Sequence, residues 1–213
     1  MSLEENLRAV RERIVRAGRN PDEVTIVAVT KGFGPDVCRA ALNAGLTVLG
    51  ENRVHEALTK MAEVKGAEWH LIGHLQSNKA RLAAGRFQLI QSVDSLRLAE
   101  HIARIAPSQQ VLVEVNISRE PQKSGVAPAE SVGLATEIAK RLDLKGLMAM
   151  GPSQGDPTPA FEDLRRLRDE AQQQIGRALP VLSMGMSGDF EAALRAGSTM
   201  LRLGQVLFGP RPS

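Results

Sequence analysis

The chain has few of the residues on which several classes of function depend. Among its 213 residues there is one cysteine and no tyrosine, and aromatic residues make up only 3%. The single cysteine, Cys38, excludes an internal disulfide; its helix-like surroundings predict a small buried residue, which fits a reducing compartment. The scarcity of aromatic rings leaves no stacking platform for single-stranded nucleic acid.

Long apolar runs and strong charge asymmetry are also lacking. The sequence shows no membrane span, and its first residues alternate charged and apolar residues at helical spacing, unlike a signal peptide. The formal net charge is only +3, because basic and acidic residues are interspersed on what we predict to be solvated helix faces. We therefore expect a cytoplasmic protein that binds neither membranes nor nucleic acid.

Short apolar runs alternate with amphipathic stretches along the whole chain, which is typical of repeated βα units. With 43% hydrophobic residues, residues 1–213 can form a single domain. After an N-terminal helix near residues 3–17, we predict eight strands at 24–30, 46–50, 69–72, 88–93, 111–117, 144–150, 181–186 and 199–203. Helices are predicted at 35–43, 53–64, 95–105, 128–142, 159–178 and 189–196.

This order of elements predicts an α/β protein, a single (β/α)8 barrel of the TIM type with an extra N-terminal helix. A doubly wound open sheet is the alternative. Both architectures bind ligands at the carboxyl ends of their strands, where polar and glycine-rich segments concentrate in this sequence. Each segment alone could be a simple turn, but their joint placement indicates one shared site. The segments are 31–34, 50–53, 73–79, 116–125, 150–153, 185–188 and 202–205.

Lys31 follows the apolar, β-branched run that forms the first predicted strand. An amine partly withdrawn from water loses some of its preference for the charged form and can attack a carbonyl, which suggests Schiff-base chemistry. The alternative is a solvated lysine at a strand end. Lys123, on the loop after the fifth predicted strand, is a second candidate amine, but its polar surroundings favour the charged form.

Ser187, Gly204 and Gln205 are predicted to surround an anion. Ser187 precedes the helix predicted to begin at Asp189, and Gly204 with Gln205 opens a short apolar turn after the eighth strand. Backbone N–H groups from both segments would point at one anion, where barrel enzymes commonly hold a phosphate. Ser187 could also cap the following helix.

Other polar segments are predicted to have structural roles. His70 and His74 span a strand and its loop, not one helix face, so we predict no metal site and a His70 that is packed or hydrogen-bonded in the barrel. Residues 78–86 are predicted to form the exposed side of a helix, with Lys79 facing the mouth as the alternative. The turn-rich segment 152–159 is either a flap over the site or a surface loop.

Ordered segments of the sequence resemble the pyridoxal 5′-phosphate (PLP) homeostasis proteins, relatives of the N-terminal barrel of alanine racemase. The matching segments cover essentially the whole chain and are 27–31, 50–53, 69–79, 115–118, 123–125, 145–150, 182–187 and 196–204. The resemblance implies that Lys31 carries PLP as a Schiff base. It also implies that Ser187 and the amides of Gly204 and Gln205 hold the phosphate.

The same resemblance places Arg202 opposite the pyridine nitrogen and Asn52 near the ring hydroxyl of PLP. At Gln205 this sequence departs from the small hydroxyl residue expected in the family, which leaves the backbone amide as the implied contact. A guanidinium beside the ring nitrogen disfavours its protonation and weakens the electron sink that most PLP enzymes need. The alternative is that Arg202 pairs with an acid at the strand end.

Three functions are open on these residues. The first is a PLP-binding homeostasis protein with little or no turnover, with acceptor apoenzymes as candidate partners. The second is an amino-acid racemase, which needs two bases; in alanine racemase one is a tyrosine from an additional β domain, and this sequence has no tyrosine. The third is a Schiff-base aldolase acting on a phosphorylated sugar. We expect the first function, and a monomer.

Overall fold

Eight parallel strands close into a barrel in the computed structural model, which describes residues 2–210. The strands are β1 (Thr25–Val29), β2 (Val48–Glu51), β3 (Glu68–Leu71), β4 (Leu89–Val93), β5 (Gln110–Glu114), β6 (Asp143–Met148), β7 (Val181–Ser183) and β8 (Met200–Leu203). Each pairs with its neighbour in the chain, and β1 pairs with β8. The closed sheet confirms the predicted barrel and excludes the open doubly wound sheet.

Helices connect the strands on the outside of the barrel. They are α1 (Leu3–Arg16), α2 (Pro35–Asn43), α3 (Val54–Glu63), α4 (Ala80–Ala83), α5 (Leu96–Ile105), α6 (Pro128–Ala139), α7 (Thr158–Ile175), α8 (Phe190–Arg195) and α9 (Gln205–Phe208). The helix predicted around residues 78–86 is shorter than expected. It is a 3-10 turn at Ser77–Lys79 followed by the single turn of α4, because the chain must then turn to enter β4. None of the helices within residues 2–210 is long and apolar enough to cross a bilayer.

The additional N-terminal helix α1 is confirmed, and it supports the end of the barrel repeat. Ser2 and Glu5 form a capping box at its start, and one face is buried through Leu7, Val10 and Ile14. The helix packs against α8 and α9. The Asn6 side-chain amide also donates a hydrogen bond to the Leu207 carbonyl at 2.8 Å. Helix α1 therefore fixes the short helix α9 that follows the last strand.

Most of the apolar core lies between the barrel and its helices. Cys38 is part of it and is fully buried, as predicted. A second, smaller cluster comes from the alternate residues of the strands, which point into the barrel. Its members are Val27, Val48, Leu89, Leu112, Met148 and Met200.

A chain of polar side chains crosses the barrel interior above this cluster. Arg202 donates to the Ser183 hydroxyl at 2.7 Å, which donates to the Gln91 carbonyl oxygen at 2.7 Å. The Gln91 amide in turn lies 3.1 Å from Nδ1 of His70. Burial lowers the pKa of His70 to about 4, so its ring is neutral and accepts the Gln91 hydrogen bond. The prediction of a packed, hydrogen-bonded His70 is confirmed.

Strands β5, β6 and β7 end two to three residues earlier than predicted. After β5, Val115 forms an isolated bridge with Val126, which draws the chain into a loop above the barrel. After β7, Gly185 adopts a positive φ of 98°, and a Cβ there would lie 2.8 Å from the side chain of Ala193. These early turns place loop residues, not strand residues, around the mouth.

Candidate functional site

The carboxyl ends of the strands enclose a cavity of about 700 Å³, a size typical of small-molecule sites. All six residues that the sequence singled out line it, although they come from four different strand ends. They are Lys31, Asn52, Ser187, Arg202, Gly204 and Gln205. Closure of the barrel brings Lys31, which follows β1, close to the residues at the end of β8, because β1 and β8 are neighbours.

Lys31 lies in the turn directly after β1 and is half-buried, in the position predicted for an amine partly withdrawn from water. The second candidate amine, Lys123, forms an ion pair with Glu120 at 3.0 Å and donates to the Gly151 carbonyl at 2.7 Å. Lys123 is not among the residues that line the cavity. Lys79 is exposed and does not line the cavity, so the alternative that it faces the mouth is wrong.

The loops after β5 and β6 are tied together beside the cavity. Both carboxylate oxygens of Glu120 accept hydrogen bonds from Ser153, one from the backbone N–H at 2.8 Å and one from the hydroxyl at 2.6 Å. These bonds lower the pKa of Glu120 to about 2. They attach the start of the turn-rich segment 152–159 to the neighbouring loop at neutral pH.

Asn52 is positioned by a close backbone approach from the next loop. A Cβ at Gly73 would lie only 2.3 Å from the Asn52 carbonyl oxygen, so a side chain there would displace Asn52. The buried Ser92 hydroxyl also donates a hydrogen bond to the Gly73 carbonyl at 2.7 Å, which fixes this backbone. Asn52 therefore lines the cavity from a backbone with little room to move.

Ser187 connects the two loops that were predicted to surround an anion. Its hydroxyl accepts a hydrogen bond from the backbone N–H of Val206 at 3.2 Å, which joins the loop after β7 to the first turn of α9. Asp189, not Ser187, occupies the cap position of α8, and its carboxylate accepts from the Met186 N–H at 2.6 Å. The alternative role of Ser187 as the helix cap is therefore wrong. The contact of Val206 was not predicted, because it is made by the backbone N–H and an apolar side chain gives no sign of such a role.

Arg202 is buried at the floor of the cavity with its guanidinium held by neutral groups. Besides its bond to Ser183, it donates to the Ala149 carbonyl at 2.8 Å. Burial lowers the pKa of Arg202 to about 10, against the opposing influence of Glu114 and Asp189, so the group stays charged at neutral pH. No ion pair of Arg202 is found within residues 2–210. The alternative that it pairs with an acid is therefore wrong.

Glu114 is a buried acid in the cavity that was not predicted from the sequence. It ends β5 and is only 3% exposed, and its Oε2 atom has no hydrogen-bond partner within the described part of the chain. Burial raises the pKa of Glu114 to about 7; Asp94 raises it further and Arg202 opposes the shift. A single carboxylate within an otherwise apolar strand was the available signal.

His70 and His74 lie in different environments. His74 lines the cavity and lies 3.3 Å from the Asp94 carboxylate, whereas His70 is bound to Gln91 inside the barrel. Among residues 2–210, no group of three or more histidine, cysteine, aspartate or glutamate side chains could hold a metal ion. The pairing of His74 with Asp94 places one further polar contact at the cavity rim.

Comparison with known proteins identifies the family. The family model for the N-terminal domain of alanine racemase matches residues 1–212. A pyridoxal phosphate homeostasis protein of Aquifex aeolicus (strain VF5) is 42% identical, with 99% of each chain covered. The chain belongs to the pyridoxal phosphate homeostasis protein family. The resemblance found in the sequence is thereby confirmed.

Solved structures agree with this assignment. PipY of Synechococcus elongatus PCC7942, a structure with PLP bound, is 34% identical, with a TM-score of 0.86 over 98% of this chain and 100% of that one. Alanine racemase from Corynebacterium glutamicum is 19% identical, with a TM-score of 0.79 over 99% of this chain and 61% of that one. This second similarity concerns the barrel fold alone.

Replacement of Glu114 by glutamine is expected to change how stability depends on pH. Its raised pKa means that the folded protein holds a proton that the unfolded chain releases near pH 4.5. The stability that this proton contributes is complete below pH 4.5 and is lost as the pH rises through about 7. Over this range the free energy of unfolding of the wild type should fall by on the order of 1–3 kcal/mol relative to Glu114→Gln.

Urea denaturation at a series of pH values measures this difference. Glu130→Gln, at an exposed position on α6, is the matched control and should keep the wild-type profile. Parallel profiles for the wild type and Glu114→Gln would contradict the assignment of a buried, protonated Glu114.

Proposed function

We propose that this protein binds PLP in the cavity at the barrel mouth and serves the homeostasis of that cofactor in the cytoplasm, with little or no catalytic turnover. The observation that carries the proposal is the convergence of one amine, one hydroxyl and one guanidinium on a cavity of about 700 Å³. The curated relative from Aquifex aeolicus is named for PLP homeostasis, and PipY was solved with PLP bound. Both support the same ligand here.

The residues of the cavity fit the chemical groups of PLP. The cofactor supplies an electrophilic aldehyde, which the half-buried amine of Lys31 would hold as a Schiff base. The phosphate fits beside Ser187, whose hydroxyl is held by the first turn of α9. Arg202 on the floor of the cavity is suited to face the ring nitrogen, and Asn52 the ring hydroxyl.

The charge of Arg202 supports a role without turnover. Its guanidinium is held by Ser183 and Ala149, and its pKa of about 10 keeps it charged at neutral pH. A fixed positive charge disfavours a proton on the ring nitrogen, so the ring withdraws electrons poorly from a bound amino acid. Racemisation also needs a base on each face of the substrate carbon, and the chain has no tyrosine to serve as one.

The amine is tested by trapping the bound cofactor. After incubation with PLP and reduction with borohydride, we expect mass spectrometry to find the adduct predominantly on Lys31. Lys31→Ala should fold, because a lysine in a turn contributes little packing, but it should lose the stable visible absorbance. Lys123→Ala, whose side chain binds Glu120 and Gly151, is the control and should leave the Lys31 adduct unchanged. An adduct found mainly on Lys123 would overturn the assignment.

The phosphate contact is tested by comparing two ligands. Ser187→Ala should weaken binding of PLP by on the order of 1–3 kcal/mol, the usual contribution of a hydrogen bond to a charged group. Binding of pyridoxal, which has no phosphate, should be weak and should hardly change. Gln205→Ala is the control and should have little effect if only its backbone amide takes part. Equal losses for both ligands would argue against a phosphate at Ser187.

The absence of turnover is tested with the loaded protein. Incubation with L-alanine should give no racemisation or transamination above the rate of free PLP, as measured by chiral chromatography. Addition of an acceptor apoenzyme should instead restore the activity of that enzyme as PLP is transferred. Efficient racemisation that disappears in Lys31→Ala would support the racemase alternative. A cofactor that no acceptor removes would argue against a role in delivery.

A further inference from the structure

A buried cluster of charged residues lies behind the turn that carries Lys31. Lys60 on α3 is its centre, with a side chain only 5% exposed. Its ammonium contacts the carboxylate of Glu51 at 2.7 Å, the carboxylate of Glu56 at 2.8 Å and the backbone carbonyl of Thr30 at 2.8 Å. An ammonium group has three hydrogens to donate, so these contacts satisfy it completely.

The cluster holds the backbone on both sides of Lys31. On one side, Lys60 binds the Thr30 carbonyl, and the Thr30 hydroxyl donates to Glu51 at 2.6 Å. On the other side, the Gly32 N–H donates to Glu56 at 2.7 Å. The two residues that flank Lys31 are therefore bound to the same pair of acids, which Lys60 joins.

Stability alone is a weak explanation for such a cluster. Burying charges costs solvation energy, and well-packed apolar residues of similar volume often stabilise a protein at least as well. Glu51 shows this cost, because burial raises its pKa and its second oxygen has no hydrogen-bond partner within the described chain. Charged groups supply what apolar residues cannot, namely directional hydrogen bonds to the backbone that flanks Lys31.

We propose that Lys60, Glu51 and Glu56 form a positioning cluster that fixes the turn at residues 30–32 and thereby aims the Lys31 amine at the PLP aldehyde. The inference rests on the proposed function, since it assumes that Lys31 is the amine that PLP meets. Glu51 also directly precedes Asn52, so the same cluster anchors a second residue of the cavity. Reaction rates are sensitive to misplacements of about 1 Å, so a loosened turn slows the reaction of Lys31.

Glu56 offers the cleanest test, because its side chain is 28% exposed and its removal leaves the buried Lys60–Glu51 pair intact. Glu56→Ala removes the acceptor of the Gly32 N–H, whereas Glu56→Gln keeps an oxygen at that place. Glu63→Ala, at an exposed position on the same helix, is the matched control. Lys60→Met is the second variant and removes all three contacts of the ammonium.

Two quantities are measured at a temperature well below unfolding. The first is the rate at which PLP becomes linked to the protein, followed by its absorbance. The second is the share of the borohydride-reduced adduct that lies on Lys31 and not on other lysines. Glu56→Ala should slow the rate by on the order of tenfold and lower the Lys31 share. Glu56→Gln should recover most of both, and Glu63→Ala should match the wild type. Thermal unfolding midpoints are recorded in parallel.

Unchanged rate and adduct share in Glu56→Ala would overturn the inference, even if Lys60→Met fails to fold. The inference would also be overturned if the rate and the adduct share changed only in proportion to the unfolding midpoint. A merely structural role of the cluster predicts that result. Failure of the proposed function is recognised separately, because the wild type would then form no adduct on Lys31 before any variant is compared.

Discussion

A guanidinium buried inside a barrel needs hydrogen-bond acceptors on the surrounding strands. Arg202 has such acceptors, and the hydrogen bonds that begin at its guanidinium involve half of the strands in the sheet. Its two terminal nitrogens bind Ser183 and the Ala149 carbonyl. The Ser183 hydroxyl donates a hydrogen bond to the Gln91 side chain, and the Gln91 amide donates one to the neutral ring of His70. Strands β8, β7, β4 and β3 are thus joined by one chain of donors. A change at any member leaves a buried polar group unsatisfied.

The polar groups around the mouth form two layers with different tasks. The inner layer, with Arg202 and Glu114, lies at the floor of the cavity and sets the charge that a ligand meets. The outer layer, centred on Lys60, lies between α3 and the ends of β1 and β2 and contacts the backbone of the mouth. The first layer lines the cavity, and the second contacts the backbone that carries the lining residues. A substitution in the outer layer can therefore alter the site without removing any group that lines it.

Much of the architecture could be predicted because it follows from periodicity and a general rule. Alternating apolar and amphipathic segments identify βα units, and ligands of parallel barrels lie at the carboxyl ends of the strands. Lys31 and Ser187 could be placed at one mouth on that basis. The burial of Lys60 could not be predicted, because its partners at residues 30 and 51 are brought to it only by the pairing of β1 with β2. The raised pKa of Glu114 could not be predicted, because it depends on burial in the closed barrel and then on the charges of Asp94 and Arg202, which are brought near only by the fold.

The contact between the first and last strands has a consequence for the order in which the site is assembled during synthesis. Lys31 precedes Ser187 and Arg202 by a long stretch of chain, so it leaves the ribosome well before them. The two groups meet when β8 pairs with β1 and α9 docks on α1 through Asn6. Contacts between such distant parts of a chain form late in folding. A partly synthesised chain thus contains Lys31 without Ser187 and Arg202, and the cavity is complete only in the fully closed barrel.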